Sequence, residues 1–190
     1  MTLPDAPERE AILLVGDPRL RQPSRAVEDF DDPGFRRDGR RLIRALEQFR
    51  AEYGFGRAVS APQIGIHRRM IALNLGRGPF LVVNPEITFR SEPRFTLWDD
   101  CMSFPWLMVR LERHLTIDLR YRDETGAVQE WGSVTQSVSE LVQHEVDHLD
   151  GILALDRALD RDSIIARTVY QEQRERFDRQ VDYAIVPTIP

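Results

Sequence analysis

The segment His144-Glu-Val-Asp-His148 places two imidazoles four residues apart, with a carboxylate directly after the first. On a helix, residues at that spacing stack on one face, so His144 and His148 can grip a single ion. Glu145 is rotated from that line by one position, close enough to exchange a proton with water without occupying the ion. An ion so held lowers the pKa of a water and polarises a carbonyl, while the glutamate carries the proton. This is the chemistry of metal-assisted hydrolysis, and it leaves the site one protein ligand short.

Three sources could supply that ligand. Metzincins place a third histidine after HExxHxxGxx; Gly151 fits the pattern, but Ala154 stands where the histidine belongs. Thermolysin-like proteases draw a glutamate from a later helix, and Glu172 or Glu175 could be stretched to serve. The remaining source is Cys101, the only cysteine, in Leu97-Trp-Asp-Asp-Cys-Met-Ser-Phe-Pro105. A thiolate joins two imidazoles on either Zn²⁺ or Fe²⁺. Read from its local sequence alone, Cys101 is equally well explained as a small buried residue.

The elements that must position these groups are legible in outline. Asp32-Pro33-Gly34 predicts a helix start, and Leu42, Leu46, Phe49 and Tyr53 form its core-facing stripe before a stop at Gly54. A loop of small residues follows, Gly56-Arg-Ala-Val-Ser-Ala-Pro-Gln-Ile-Gly65. Strands are expected over Met70–Leu75 and Phe80–Val83, the second punctuated by Asn84-Pro85, then over Leu115–Tyr121 and Val128–Val134 around a turn at Asp123–Gly126. A helix begins near Ser137 and runs through Asp150 to a stop at Gly151. The charged tail from Asp162 to about Tyr183 is expected to be helical, packing through Ile164, Ile165, Thr168 and Val169. The expected architecture is α+β, antiparallel or mixed sheets around the central HExxH helix, in one domain over residues 1–190.

Composition narrows the classes. All 26 basic residues are arginine, which excludes chemistry that needs a lysine amine, such as Walker-A ATPases, kinases and Schiff-base enzymes. A net charge of -5 argues against a general nucleic-acid binder. A single cysteine excludes an internal disulfide framework and fits a reducing compartment. Neither a secretory leader nor a membrane span is expected, which points to a cytoplasmic protein.

Beyond these local readings, the sequence resembles the peptide deformylases. Gln143-His-Glu-Val-Asp-His-Leu-Asp-Gly151 matches that family's Gln-His-Glu-x-x-His helix. Asp17-Pro-Arg-Leu-Arg21 and Val83-Asn-Pro-Glu-Ile87 resemble its flanking segments in the right order, so the resemblance covers about residues 10–160. It implies a deformylase-like fold with a C-terminal helix and one divalent ion, Fe²⁺ in the cell with Zn²⁺ or Ni²⁺ substituting. It implies that Cys101, His144 and His148 ligate that ion and that Glu145 is the general acid/base. Gln63 and the backbone N–H of Met102 would hold the oxygen that becomes negative. The implied reaction is removal of formyl from N-formylmethionyl peptides in a bacterial cytoplasm, with transient ribosome association. A small N-acyl substrate is the alternative, as is a non-catalytic paralogue that keeps the metal.

The resemblance carries departures. In the first motif, Ala58 replaces a glycine and Ser60 an alanine; in the second, Asp99 and Asp100 replace Glu-Gly. Arg57, Ala58, Val59, Asp100 and Glu140 are therefore the expected substrate-binding positions. Glu140 has two readings. It lies one turn before His144 and could face substrate, or it could close a capping box in Ser137-Val-Ser-Glu140. Arg57 could contact substrate or face solvent. His67 and His114 are expected on the surface, and Trp98 and Trp106 in packing roles.

Overall fold

The computed structural model describes residues 9–185. The first helix, α1 (Pro33–Tyr53), starts where Asp32 accepts hydrogen bonds from the N–H groups of Gly34 (2.9 Å) and Phe35 (3.1 Å), with Pro33 at its first position. It stops at Gly54, whose φ of 73° is left-handed. Leu42, Leu46 and Phe49 are buried as expected. Tyr53 is not; it is exposed and packs edgewise on Phe55 and tilted on Phe49.

Eight strands follow the chain: β1 (Ala58–Ser60), β2 (Met70–Asn74), β3 (Pro79–Arg90), β4 (Arg94–Asp99), β5 (Leu107–His114), β6 (Ile117–Arg122), β7 (Val128–Trp131) and β8 (Ile164–Ala166). They form a five-stranded sheet in the order β1-β2-β3-β6-β7 and a three-stranded sheet in the order β4-β5-β8. Every pairing among these strands is antiparallel. The α+β expectation holds.

Two local expectations fail for physical reasons. Asn84-Pro85 does not end its strand. The register of β3 against β6 shifts between Val83 and Glu86, which absorbs the proline's missing donor in a bulge. Asn84 there takes φ 50°, and its side chain exchanges 2.8 Å hydrogen bonds with the backbone of Val27 in both directions. The tail is also not one helix. It opens with β8, which satisfies the free edge of β5, and continues as α3 (Arg167–Glu172) and α4 (Arg174–Asp178). Ile164 and Val169, expected to pack, are exposed. The tail docks through Ile165, as expected, and through Phe177, whose ring meets Trp98 edge-on and whose carbonyl accepts from Trp98 Nε1 at 3.0 Å.

The site rests on α2 (Gln136–Leu149), in which every side chain from Ser139 onward is buried. Leu141, Val142, Val146 and Leu149 pack on Ile71, Leu73, Val82, Ile117 and Leu119 of the larger sheet. Gln143 holds the helix to the end of β5: its Oε1 accepts from His114 N–H (3.1 Å) and its Nε2 donates to the His114 carbonyl (3.0 Å). The chain leaves α2 through Gly151 at φ 74°, where an added Cβ would lie 2.5 Å from the Arg21 carbonyl oxygen. Gly151→Ala is therefore expected to cost roughly 2–5 kcal/mol, backbone strain and overpacking together, read as a lowered urea midpoint.

Candidate metal centre

Helical spacing puts His144 and His148 on one face of α2, with Nε2 atoms 3.2 Å apart and rings edge-to-face. β4 ends at Asp99, and the following turn brings Cys101 against that face, its Sγ 3.2 Å from His148 Nε2. Ligand atoms of Cys101, His144 and His148 all lie within 4.8 Å of one another, and all three residues are buried. These donors suit a metal ion. Two imidazole nitrogens at about 2.0–2.1 Å from a tetrahedral ion are about 3.3 Å apart, close to the separation seen. His144 Nδ1 faces Asp99 Oδ2 at 2.9 Å, which fixes its proton there and leaves the Nε2 lone pair for an ion. Glu172 and Glu175, the alternative third ligands, are exposed on the tail and lie outside this cluster.

Glu145 sits next to the triad, buried, with Ser60 Oγ donating to its Oε2 at 2.5 Å. Burial pushes its carboxyl above the usual range, a shift that His144 and the Ser60 hydroxyl partly offset. Burial also pushes the Cys101 thiol up. Gln63 is fixed from both ends. Its Oε1 accepts from Ser60 N–H (2.9 Å), so Nε2 must be the end that points at Ser103 Oγ (3.2 Å) and Cys101 Sγ (3.5 Å). The Met102 N–H donates to no group among the described residues, so it is free for a ligand.

A cleft of about 100 Å³ opens over these groups, lined among others by Arg57, Ala58, Gln63, Asp100, Met102, Glu140 and Glu145. Val59, expected among the substrate contacts, has its side chain in the core beneath and offers only backbone. Glu140 does not cap. The helix starts one residue earlier, with Thr135 as N-cap, so Glu140 lies beyond the free N–H groups of the first turn. Its Oε1 instead accepts a short hydrogen bond from Arg57 Nη2, and Arg57 Nη1 donates to the Ser137 carbonyl at 2.8 Å. Arg57 is thus held against α2 and not turned to solvent. Burial, countered by Arg57, pushes the Glu140 carboxyl up to about 7. Asp100 accepts from Arg167 Nη2 at 2.6 Å across the cleft mouth. His114 is tied down, its Nδ1 2.7 Å from the Ser91 carbonyl. Trp98 is buried as expected, whereas Trp106 is exposed.

Sequence reasoning missed a buried charge relay behind the triad. Arg113 Nη2 reaches Asp99 Oδ2 at 3.4 Å and its Nη1 donates to Asp147, which Arg157 also clamps. Burial opposes charge on Asp99, but His144 and Arg113 outweigh it and hold the carboxyl at about 2. The signal was available: Val109, Leu111 and Arg113 share one face of β5, so an arginine interrupts an apolar face. Arg113→Met is expected to cost about 1.5–3 kcal/mol in stability, because Asp99 and Asp147 each lose one charged partner but keep His144 and Arg157 respectively. It should also weaken metal affinity about 10–100-fold by loosening His144, measured by competition with a chelator.

A HExxH helix, a cysteine from the adjoining turn and a buried glutamate beside their ligand atoms, between two antiparallel sheets, define an α+β metallohydrolase. Comparison with known proteins gives the particular kind. The family model described as polypeptide deformylase matches residues 9–163. Curated relatives include the peptide deformylase of Thermotoga neapolitana, 33% identical over 146 residues and covering 77% of this chain and 85% of that one. A protein named peptide deformylase-like from Brucella melitensis is 37% identical over 164 residues, covering 82% and 93%. Among solved structures, the peptide deformylase of Thermotoga maritima superposes with a TM-score of 0.72 at 31% identity, covering 80% of this chain and 99% of that one. The Synechococcus elongatus peptide deformylase in complex with actinonin gives 0.73 at 27% identity, covering 94% and 90%. The chain belongs to the polypeptide deformylase family.

Proposed function

We propose that residues 1–190 form a single metallohydrolase domain that removes the formyl group from N-formylated peptides, N-formylmethionyl peptides being the reference substrates. The observation that carries this reading is the convergence of Cys101, His144 and His148 beside Glu145 and Gln63 at the floor of one cleft. Cys101, His144 and His148 would hold one divalent ion, Fe²⁺ in the cell and Zn²⁺ or Ni²⁺ as substitutes. When bound, the ion supplies Lewis acidity, acidifying a water and polarising the formyl carbonyl.

The remaining steps belong to the chain. Glu145 takes the proton from the attacking water and returns it to the departing amine nitrogen. The Ser60 hydroxyl holds the carboxylate in position for both transfers. Gln63 Nε2, its amide fixed by Ser60 N–H, and the free N–H of Met102 donate to the formyl oxygen as it becomes negative. β1 is the edge strand of its sheet, so the backbone at Ala58 and Val59 is placed to pair with an extended peptide. No helix among the described residues is long and apolar enough to cross a membrane. A cytoplasmic enzyme that meets formylated chains transiently at the ribosome fits this reading, with no specific nucleic-acid partner.

The test is formate release by protein purified anaerobically, with metal content measured on the same sample. Formate from formyl-Met peptides and none from acetyl-Met peptides is expected. A fully metal-loaded sample that turns over no formylated compound would overturn the reading. A second reading, in which the substrate is an N-formyl amine other than formylmethionine, is favoured by the charged Arg57–Glu140 wall of the cleft.

A further inference from the structure

The cleft over the triad is walled by two ion pairs, Arg57–Glu140 on the α2 side and Arg167–Asp100 at the mouth. The first pair is the more deeply set, with side chains only 11% and 2% exposed. It is also rigid, because α2 holds the Arg57 guanidinium at two points, the Ser137 carbonyl and the Glu140 carboxylate. The two pairs sense one another, Asp100 contributing to the field at Arg57. Their hydrogen-bonding capacity is not exhausted. Among the described residues, Arg57 is the only group that donates to the Glu140 carboxylate, and Arg57 Nε donates to none.

Glu140 stands one helical turn from His144 and both line the cleft, so this wall is within reach of a group borne by the carbon next to the scissile amide. An apolar chain placed there leaves the unused donors and acceptors of the wall without partners, whereas a group that both donates and accepts pairs with them. Above about pH 7, where Glu140 is ionised, each pair carries one cation and one anion, so the wall offers no net charge to attract a lone cation or a lone anion. What complements it is a neutral dipolar group.

We infer that the Arg57–Glu140 pair is the specificity-determining wall of this cleft, and that it selects N-formyl amines bearing a carboxamide-type side chain over those bearing a thioether or alkyl chain. The inference rests on the proposed N-formyl hydrolysis and names the substrate class within it. The side chains of glutamine and methionine each extend four heavy atoms from Cβ to the tip, so the comparison tests polarity at similar length.

The experiment measures kcat/KM of the metal-loaded enzyme on one formyl-dipeptide series whose first residue is Gln, Met, norleucine, Glu or Lys. In parallel, calorimetry measures binding of the matching deformylated peptides. Formyl-Gln is expected to lead formyl-Met and formyl-norleucine by about ten- to hundredfold, with Glu and Lys below Gln. The Arg57→Leu/Glu140→Leu double variant, which replaces the pair by apolar volume and so strands no charge, should reverse the order of Gln and Met. Wild-type enzyme that prefers Met, or a double variant with an unchanged order, overturns the inference and leaves the pair a purely structural tie. A best substrate of Glu or Lys also overturns it, because a net charge would then be what is read. If no formylated compound is turned over, the hydrolytic reading fails on its own, and the order of peptide affinities still decides whether this wall selects a carboxamide.

Discussion

Glu145→Gln is expected to lower kcat/KM for formyl-peptide hydrolysis by about 10²–10⁴-fold while leaving metal content unchanged. The substitution keeps the shape of the side chain and can still accept the hydrogen bond that Ser60 Oγ donates to Oε2. It removes only the ability to take a proton from water and return it to the leaving amine. Glu145 is not among the three residues whose ligand atoms cluster, so the ion has no reason to leave with its charge. Retained turnover would move the general base elsewhere; lost metal would make Glu145 a ligand. Single-turnover formate release and metal analysis on one preparation separate these outcomes.

Cys101→Ala should produce the complementary result, with metal affinity reduced at least about 100-fold and activity lost in proportion to occupancy. The expectation follows from geometry. His144 and His148 alone offer two nitrogens on one helix face, and among the described residues the turn after β4 brings a third donor, Cys101 Sγ, to them. The alanine fits the space, since Cys101 is packed in an apolar cluster with Leu20, Leu97 and Phe104, and the fold should survive. Stability of the metal-free protein should therefore change little, while the stabilisation that metal confers in a thermal melt should disappear. Undiminished metal binding would place the third ligand elsewhere.

These two variants also mark how far the site was readable in advance. The paired histidines and Glu145 are legible because helical periodicity is a local property, and α2 begins within one residue of the start expected near Ser137. The start and stop of α1 were legible for the same reason, since a capping aspartate and a left-handed glycine act on their immediate neighbours. Cys101 was a different matter. Its local sequence leaves it even between core filler and ligand, and in the fold it is buried among apolar side chains with its Sγ aimed at His148.

The errors cluster where long-range pairing competes with a local rule. Ser137-Val-Ser-Glu140 satisfies the capping pattern, yet the helix begins at Gln136 and Glu140 finds Arg57 on the same wall of the cleft. Asn84-Pro85 satisfies the strand-ending pattern, yet a bulge and the backbone of Val27 accommodate it. The tail has helix-compatible spacing at Ile164 and Ile165, yet the open edge of β5 takes those residues as a strand.

The sequence by itself determined that this chain carries two histidines stacked on one helix face with a carboxylate beside the first. Its lack of lysine left no amine for lysine chemistry. Only the tertiary structure decided which partner each charge takes. With 26 arginines against 31 acids, composition permits very many ion pairs, and spacing along the chain ranks few of them. Burial makes the choice, because a carboxylate or guanidinium withdrawn from water must meet an opposite charge or a hydrogen-bond partner where the backbone has already placed one. In this way Asp99 came to orient His144, Arg113 to bridge Asp99 and Asp147, and Arg57 to meet Glu140 on the wall of the cleft.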